Sequence, residues 1–211
     1  MKPSKESVSP HRHSYPPAPW RMSGMMWMGL FPTLRRLPVP HSLSVLLPRH
    51  LVIAAIRYLD GDLSYSEFVV ASLVRRGHRV GTFVHRIWVD SSLSQQGGRD
   101  IWGLDKQLAR FDWTSRQMCM TTDSGAQVTL ATHREPRATV PLVLPIGVFA
   151  PLGGHLAYAL APVHVHATPS RLSLPHWPEQ LPRLTRCTSS VALEAPRFRA
   201  VIPPAHPIST L

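Results

Sequence analysis

Short apolar runs alternate with turn-forming clusters along most of the chain. LVIAAIRYL (51–59), SEFVVASLV (66–74) and VGTFVHRIWVD (80–90) are rich in β-branched and aromatic residues, and each reads as a strand. DGD (60–62) and RRGHR (75–79) lie between them and predict tight connections. The second half repeats the pattern in FDWTSRQMCMTT, AQVTLATH, TVPLVLPIGVFA, HLAYALAPVHVHA and SSVALEA. Residues 19–33, with Trp20 and Trp27, can hold a first strand. Short strands at regular spacing predict a mainly β (α+β) fold, either a barrel or a sandwich. Helix is expected in a few short pieces, one of them a single turn within the loop at 34–49. Ser91 or Ser92 can cap a short helix that Gly97 and Gly98 would weaken or end. Lys106 to Arg110 reads as one further helical turn.

A chain of 211 residues suits one domain. Residues 1–18 are rich in proline, serine and histidine and predict a disordered tail. Residues 19–204 then form a single domain, and 205–211 a C-terminal tail. The 22 prolines disfavour long helices, and Pro38, Pro40 and Pro48 make 34–49 a loop. The net charge of +11 raises nucleic acid as a partner. However, the arginines are scattered singly or in pairs, with no zinc-finger spacing, so no nucleic-acid partner is expected. MMWMGLF (25–31) is too short to span a bilayer, and Pro48, Arg49 and His50 interrupt the next apolar stretch. No membrane partner is expected, and the N-terminus has no apolar leader, so a cytoplasmic protein is. Cys119 and Cys187 follow no motif and are expected as free thiols.

Candidate chemistry begins with the basic residues. Of 23 lysines and arginines only Lys2, Lys5 and Lys106 are lysine, so the expected domain holds one amine. An amine can lose its proton when desolvated and attack a carbonyl, which a guanidinium cannot do. An exposed lysine, with a pKa near 10.4, is protonated at neutral pH, and lowering that by about 4 units costs about 5.4 kcal/mol. Burial and a nearby cation are the available means. Ile101, Trp102, Leu104 and Leu108 are the apolar neighbours in sequence. A carboxylate such as Glu67 can move protons. His164 and His166 share a strand face but have no third ligand of matched spacing, so no metal is expected. Ser92 and Ser94 lack the strand-turn-helix motif of a hydrolytic nucleophile.

The segment VDSSLSQQGGRDIWGLDKQLARF (89–111) resembles the signature of acetoacetate decarboxylase-like proteins. PPAPWRMSG (16–24) is similar to that family's opening strand, and GDLSYSEF (61–68) to the segment with a tyrosine two residues before a glutamate. The resemblance spans about residues 16 to 200. It implies an antiparallel β-barrel-like fold with a few short helices, and a lysine at the base of a largely apolar pocket. It implies a carboxy-lyase that forms a Schiff base with a β-keto acid, a small-molecule partner, without a cofactor, in a homo-oligomer. The lysine of the motif falls on Lys106, and the tyrosine-x-glutamate pair on Tyr65 and Glu67. Gly98, Arg99 and Asp100 match a glycine-arginine-acid step, with Asp in place of the common Glu. Tyr65 and Trp102 are then pocket wall. Arg99 is expected to tie the loop after the glycines by hydrogen bonds, and Arg99 or Arg110 is the candidate supporting cation in place of the missing lysine.

The chain departs from the family pattern at four points. Asp105 stands where proline precedes the reactive lysine, and Gln107 where a second lysine follows it. Both changes favour the protonated amine. Asp105 is expected to face solvent as a helix-start cap. The strand before the tyrosine-x-glutamate segment has no acid before Asp60, and the nearest first-strand arginine is Arg21. Two alternatives therefore stand beside the decarboxylase. One is a related Schiff-base aldolase-dehydratase acting on a larger keto acid. The other is a non-catalytic member of the fold that binds a small molecule.

Overall fold

A computed structural model describes residues 15–133 and 138–210. Seven strands close into a barrel: β1 (Trp20–Pro32), β3 (His50–Gly61), β4 (Tyr65–Arg76), β5 (Arg79–Val89), β9 (Val140–Leu152), β10 (His155–Ser170) and β12 (Val191–Ile202). The order around the barrel is β5-β9-β10-β12-β1-β3-β4, and β4 pairs back onto β5. Most neighbours are antiparallel, but β5 and β9 run parallel. The mainly β expectation holds, with a barrel rather than a sandwich.

Two-residue periodicity gives each strand two faces. On β3, Val52, Ala54, Ile56 and Tyr58 face the barrel interior, whereas Leu51, Ile53 and Ala55 face outward into a second apolar layer. On β4, Glu67, Val69 and Ala71 face in, and Phe68 and Val70 face out. The outer layer is covered by a small sheet of β6 (Gln107–Trp113), β7 (Gln117–Thr122), β8 (Gln127–Thr132) and β11 (Leu172–His176). Met118, Met120, Val128 and Leu130 supply its apolar face. This is why β3 and β4 read as continuous apolar runs: both of their faces are buried.

The seam between the two layers lies on β5. Its first half pairs with β9 through Thr82 and Phe83, and its second half with β6 through Trp88 and Val89. Between them β5 has no neighbour on that side, and residues 103–107 run along the gap.

Several expectations are corrected. Lys106 to Arg110 is not a helical turn. Gln107 opens β6, because the edge of β5 offers it a ladder. FDWTSRQMCMTT is two strands, since Trp113 and Gln117 flank a turn. The helix α1 (Ser92–Trp102) continues through Gly97 and Gly98. Short strands β2 (Ser44–Val45) and β11 were not expected, because runs of two and five residues are too short for alternation to distinguish them from loop. In the expected C-terminal tail, β13 (His206–Thr210) pairs with β10. Of the expected N-terminal tail, residues 1–14 lie outside the described residues, and Tyr15 is buried. Cys119 and Cys187 are free. No helix among the described residues is long and apolar enough to cross a membrane.

Phe68 is fully buried between barrel and outer sheet, stacked near Trp88 at 6.1 Å between ring centroids. Phe68→Ala is expected to cost about 3–5 kcal/mol by denaturant unfolding. A loss below about 1 kcal/mol would mean that the two layers do not share one packed core.

Candidate active site

Helix α1 follows β5 and packs beside the seam, against β5, β6, β9 and β10. Ser91 caps it, its side chain accepting from Ser94 N–H at 3.3 Å. Gly103 ends it in the left-handed region at φ 67. A Cβ at Gly103 would also lie 2.0 Å from the Pro151 carbonyl oxygen on β9. Gly103 thus lets the chain turn and lie close against β9. The next residues then bring Lys106 to the seam.

Two α1 side chains fix the Lys106 backbone. Gln95 Nε2 and Arg99 each donate to the Lys106 carbonyl at 3.1 Å. With the backbone held, the Lys106 side chain passes inward across Gly98. A Cβ at Gly98 would lie 2.5 Å from Lys106 Cε and 2.6 Å from Cδ. At Gly97 the neighbour is the Trp20 ring, 2.7 Å from a built Cβ. Both glycines cost helix propensity, and both are needed for close approach.

Inside the barrel, Lys106 Nζ donates to Glu67 Oε2 at 2.7 Å and to Ser94 Oγ at 3.1 Å. It also lies 5.1 Å from the Tyr65 ring centroid. Lys106 is 3% exposed and Glu67 6% exposed. Tyr58 donates to the other Glu67 oxygen, Oε1, at 3.4 Å. Tyr58 sits directly across the ladder from Tyr65, and their rings are 4.4 Å apart.

Burial pushes the Lys106 amine down, but the Glu67 carboxylate, with Tyr65 beside it, more than offsets this. The amine is therefore held above its ordinary value of 10.5. Burial, and then the Glu67 charge, raise Tyr58 well above its ordinary value. Burial also raises Tyr65, although the Lys106 charge opposes it. Both phenols stay neutral donors at neutral pH.

The pair sits in an apolar cavity of about 190 Å³ formed by the barrel lumen. Trp20, Trp102 and Leu104 wall it near the amine. Trp102 is fixed by Nε1 donating to Pro203 O at 2.7 Å, and by a T-shaped contact with Trp20. Among the described residues that line the cavity, Lys106 and Glu67 are the only charged ones, and none is arginine or histidine.

The structure brings Lys106, Glu67, Tyr65 and Trp102 together and leaves both arginines outside. Arg110 is exposed on β6, so it shares no face with Lys106. Arg99 is turned outward, donating to Asp105 at 3.0 Å. Asp105 faces solvent, as the sequence implied, but it caps no helix. Gln107 is exposed too, so neither substitution beside Lys106 touches the amine. Leu108 is exposed and does not line the cavity, unlike Leu104. Arg21 is exposed on β1. His164 and His166 face outward on β10.

Two members of the cluster escaped the sequence reading. Ser94 was weighed only as a hydrolytic nucleophile. Its position three residues after the N-cap puts it on the helix face that meets Lys106. Tyr58 could be found only from the β3–β4 register.

The acetoacetate decarboxylase (ADC) family matches residues 9–147, more than half of the chain. The crystal structure of acetoacetate decarboxylase from Legionella pneumophila subsp. pneumophila str. Philadelphia 1 is similar at TM-score 0.73 and 19% identity. The match covers 98% of this chain and 94% of that one. The enduracididine biosynthesis enzyme MppR, complexed with the condensation product of pyruvate and imidazole 4-carboxaldehyde, is similar at TM-score 0.65 and 14% identity, covering 99% and 98%. An acetoacetate decarboxylase-like enzyme from Sphingomonas wittichii RW1 is similar at TM-score 0.54 and 12% identity, covering 91% and 94%. At these identities the likeness to solved structures shows the fold. No curated protein matches the chain.

Two outcomes follow from the geometry. Lys106→Met alone leaves Glu67 buried and unpaired, at a cost of about 3–5 kcal/mol, whereas Lys106→Met with Glu67→Met is expected to be neutral or up to about 4 kcal/mol more stable. Because the folded-state pKa of Lys106 lies above 10.5, the stability due to the pair is complete below pH 10.5 and is lost as pH climbs through the folded value. Denaturant melts from pH 8 to 11 are expected to show that alkaline loss in the wild type and its absence in the double variant. Gly98→Ala is expected to lower thermal stability, since the roughly 1 kcal/mol that alanine adds to a helix is outweighed by the disturbed Lys106–Glu67 contact. It also displaces the Lys106 stem, so Lys106 is expected to lose its protection from acetic anhydride, read by peptide mass spectrometry.

Proposed function

The chain belongs to the acetoacetate decarboxylase family, and from that premise we propose that it is a carbon–carbon lyase of the decarboxylase type. Lys106 forms an imine with a β-keto acid, and carbon dioxide leaves from that adduct. The observation that carries this reading is the 2.7 Å contact between two buried groups, Lys106 Nζ and Glu67 Oε2, at the end of an apolar cavity.

The resting pair is ammonium and carboxylate. A proton moving along their hydrogen bond leaves a neutral amine and a neutral acid. Apolar surroundings lower the cost of that transfer, because they penalise two separate charges more than two neutral groups. The amine then attacks the keto carbon, and the carbonyl oxygen takes the proton from Glu67. Loss of water gives the iminium. When the carbon–carbon bond to the carboxylate breaks, its electron pair moves to the iminium, giving an enamine and carbon dioxide. A proton delivered through Glu67 to the enamine carbon and addition of water release the ketone, and the ammonium returns. The cycle consumes one proton overall, as decarboxylation of a carboxylate requires. Tyr58, by holding Oε1, turns Oε2 toward the amine.

The lack of any second cation among the lining residues supports a second reading as well. The same Lys106 imine serves an aldol condensation followed by dehydration, in which no carboxylate need leave. Carbon dioxide release separates the two. A non-catalytic binding role would leave Lys106 unmodified by any carbonyl compound.

Borohydride reduction in the presence of acetoacetate and a panel of keto acids tests the chemistry. A reduced adduct is expected on Lys106, with none on Lys2 or Lys5, and none at that site in Lys106→Ala. Glu67→Gln is expected to slow turnover by about 10²–10⁴-fold, the range for a lost acid–base group. A folded protein that gives no adduct with any keto acid would overturn the proposal.

A further inference from the structure

We propose that the substrate is a keto acid with an extended apolar tail, and that the barrel lumen beyond Glu67 is the binding site for that tail. This rests on the Lys106 imine reading and adds the substrate class.

The reactive pair stands at one end of the lumen. Inward-facing positions continue along β4 from Glu67 through Val69 to Ala71, and along β3 from Ile56 to Val52. Four residues of strand extend about 13 Å. Acetoacetate places a single methyl beyond its keto carbon and would leave this length unused. The walls are built to leave room. Ala54 and Ala71 face the lumen on β3 and β4, and Ala159 and Ala161 face it on β10. Larger residues at these four positions would fill it.

The chemistry of the lining agrees with the shape. Polar groups cluster at the amine, as Tyr58, Tyr65 and Glu67. Among the described lining residues, the far end offers the Thr82 hydroxyl as its one polar side-chain group, and this already donates to the Gly147 carbonyl at 3.3 Å. Water there finds few hydrogen-bond partners, and a methylene chain displaces it with gain. With no arginine or histidine among the described lining residues, the far end has nothing to pair with a charged tail. The substrate therefore carries its charge beside the carbonyl and its hydrocarbon down the barrel.

The test uses unbranched β-keto acids of four, six, eight and ten carbons, with unbranched alkan-2-ols of matching tail length as ligands that cannot form an imine. For the wild type, kcat/KM is expected to rise about fourfold per added methylene until the lumen is full, corresponding to about 0.8 kcal/mol for each buried CH₂. Calorimetric affinity for the alkan-2-ols is expected to rise in parallel. Ala71→Phe is expected to abolish the advantage of the long acids, so that kcat/KM no longer rises with chain length. Ala159→Leu, from the opposite wall, gives the same readout should the first variant not fold. Adducts on Lys106 with a flat dependence on chain length, or a preference for acetoacetate, would overturn the tail proposal and leave the imine reading standing. Alcohol affinity that rises with length, without any adduct on Lys106, would sink the imine reading and still support the lumen as a tail site.

Discussion

The site depends on one constraint: two opposite charges must stay together where water does not reach. Neither Lys106 nor Glu67 is tolerable alone in an apolar lumen, because an unpaired buried charge costs several kcal/mol. Together they form a 2.7 Å contact that the barrel encloses. The same pairing that makes burial possible also holds the amine protonated. Reactivity therefore cannot come from burial alone. In the proposed imine chemistry the proton crosses to Glu67, and hydroxyls lie at both ends of that contact. Ser94 and Tyr65 face the amine, and Tyr58 faces the carboxylate.

The rest of the local structure keeps that contact in place. Glu67 is rigid because β4 is paired on both sides, by β3 and β5. Lys106 comes from outside the barrel, at the break where β5 exchanges β9 for β6. A lysine on a barrel strand would project from a wall paired on both sides, as Glu67 does. A lysine from the break instead reaches the lumen over Gly98, with its carbonyl tied to Gln95 and Arg99. Arg99 therefore acts on the loop's backbone rather than on the amine.

Most of the fold was legible in the sequence because alternation survives wherever a strand has one wet face. Leu160 to His166 on β10 show it plainly. The helix at Ser91 was legible from its cap. What failed was local propensity read without partners. QLAR (107–110) is made of good helix formers, yet the free edge of β5 draws it into a ladder, and context outweighs propensity. Gly97 and Gly98 looked like terminators, but their purpose is to admit Trp20 and Lys106. In the site, Lys106 stood out by rarity, and Glu67 came through the family resemblance. Asp105 and Gln107, adjacent in sequence, looked decisive for the amine and are exposed. The electrostatic partner is instead 39 residues away, and only the fold could select it.

The pairing of β1 with β12 joins Trp20–Leu30 to Val191–Ile202. The ends of the described chain therefore supply adjacent staves of one vessel. During synthesis, Glu67 and Lys106 leave the ribosome well before the last stave exists. Until Val191–Ile202 arrives, the lumen is an open trough, the charges are hydrated, and their attraction is weak. Contacts this distant in sequence also form slowly. The enclosed Lys106–Glu67 contact thus depends on a strand that follows both residues by more than eighty positions, and it is among the last features of the molecule to mature.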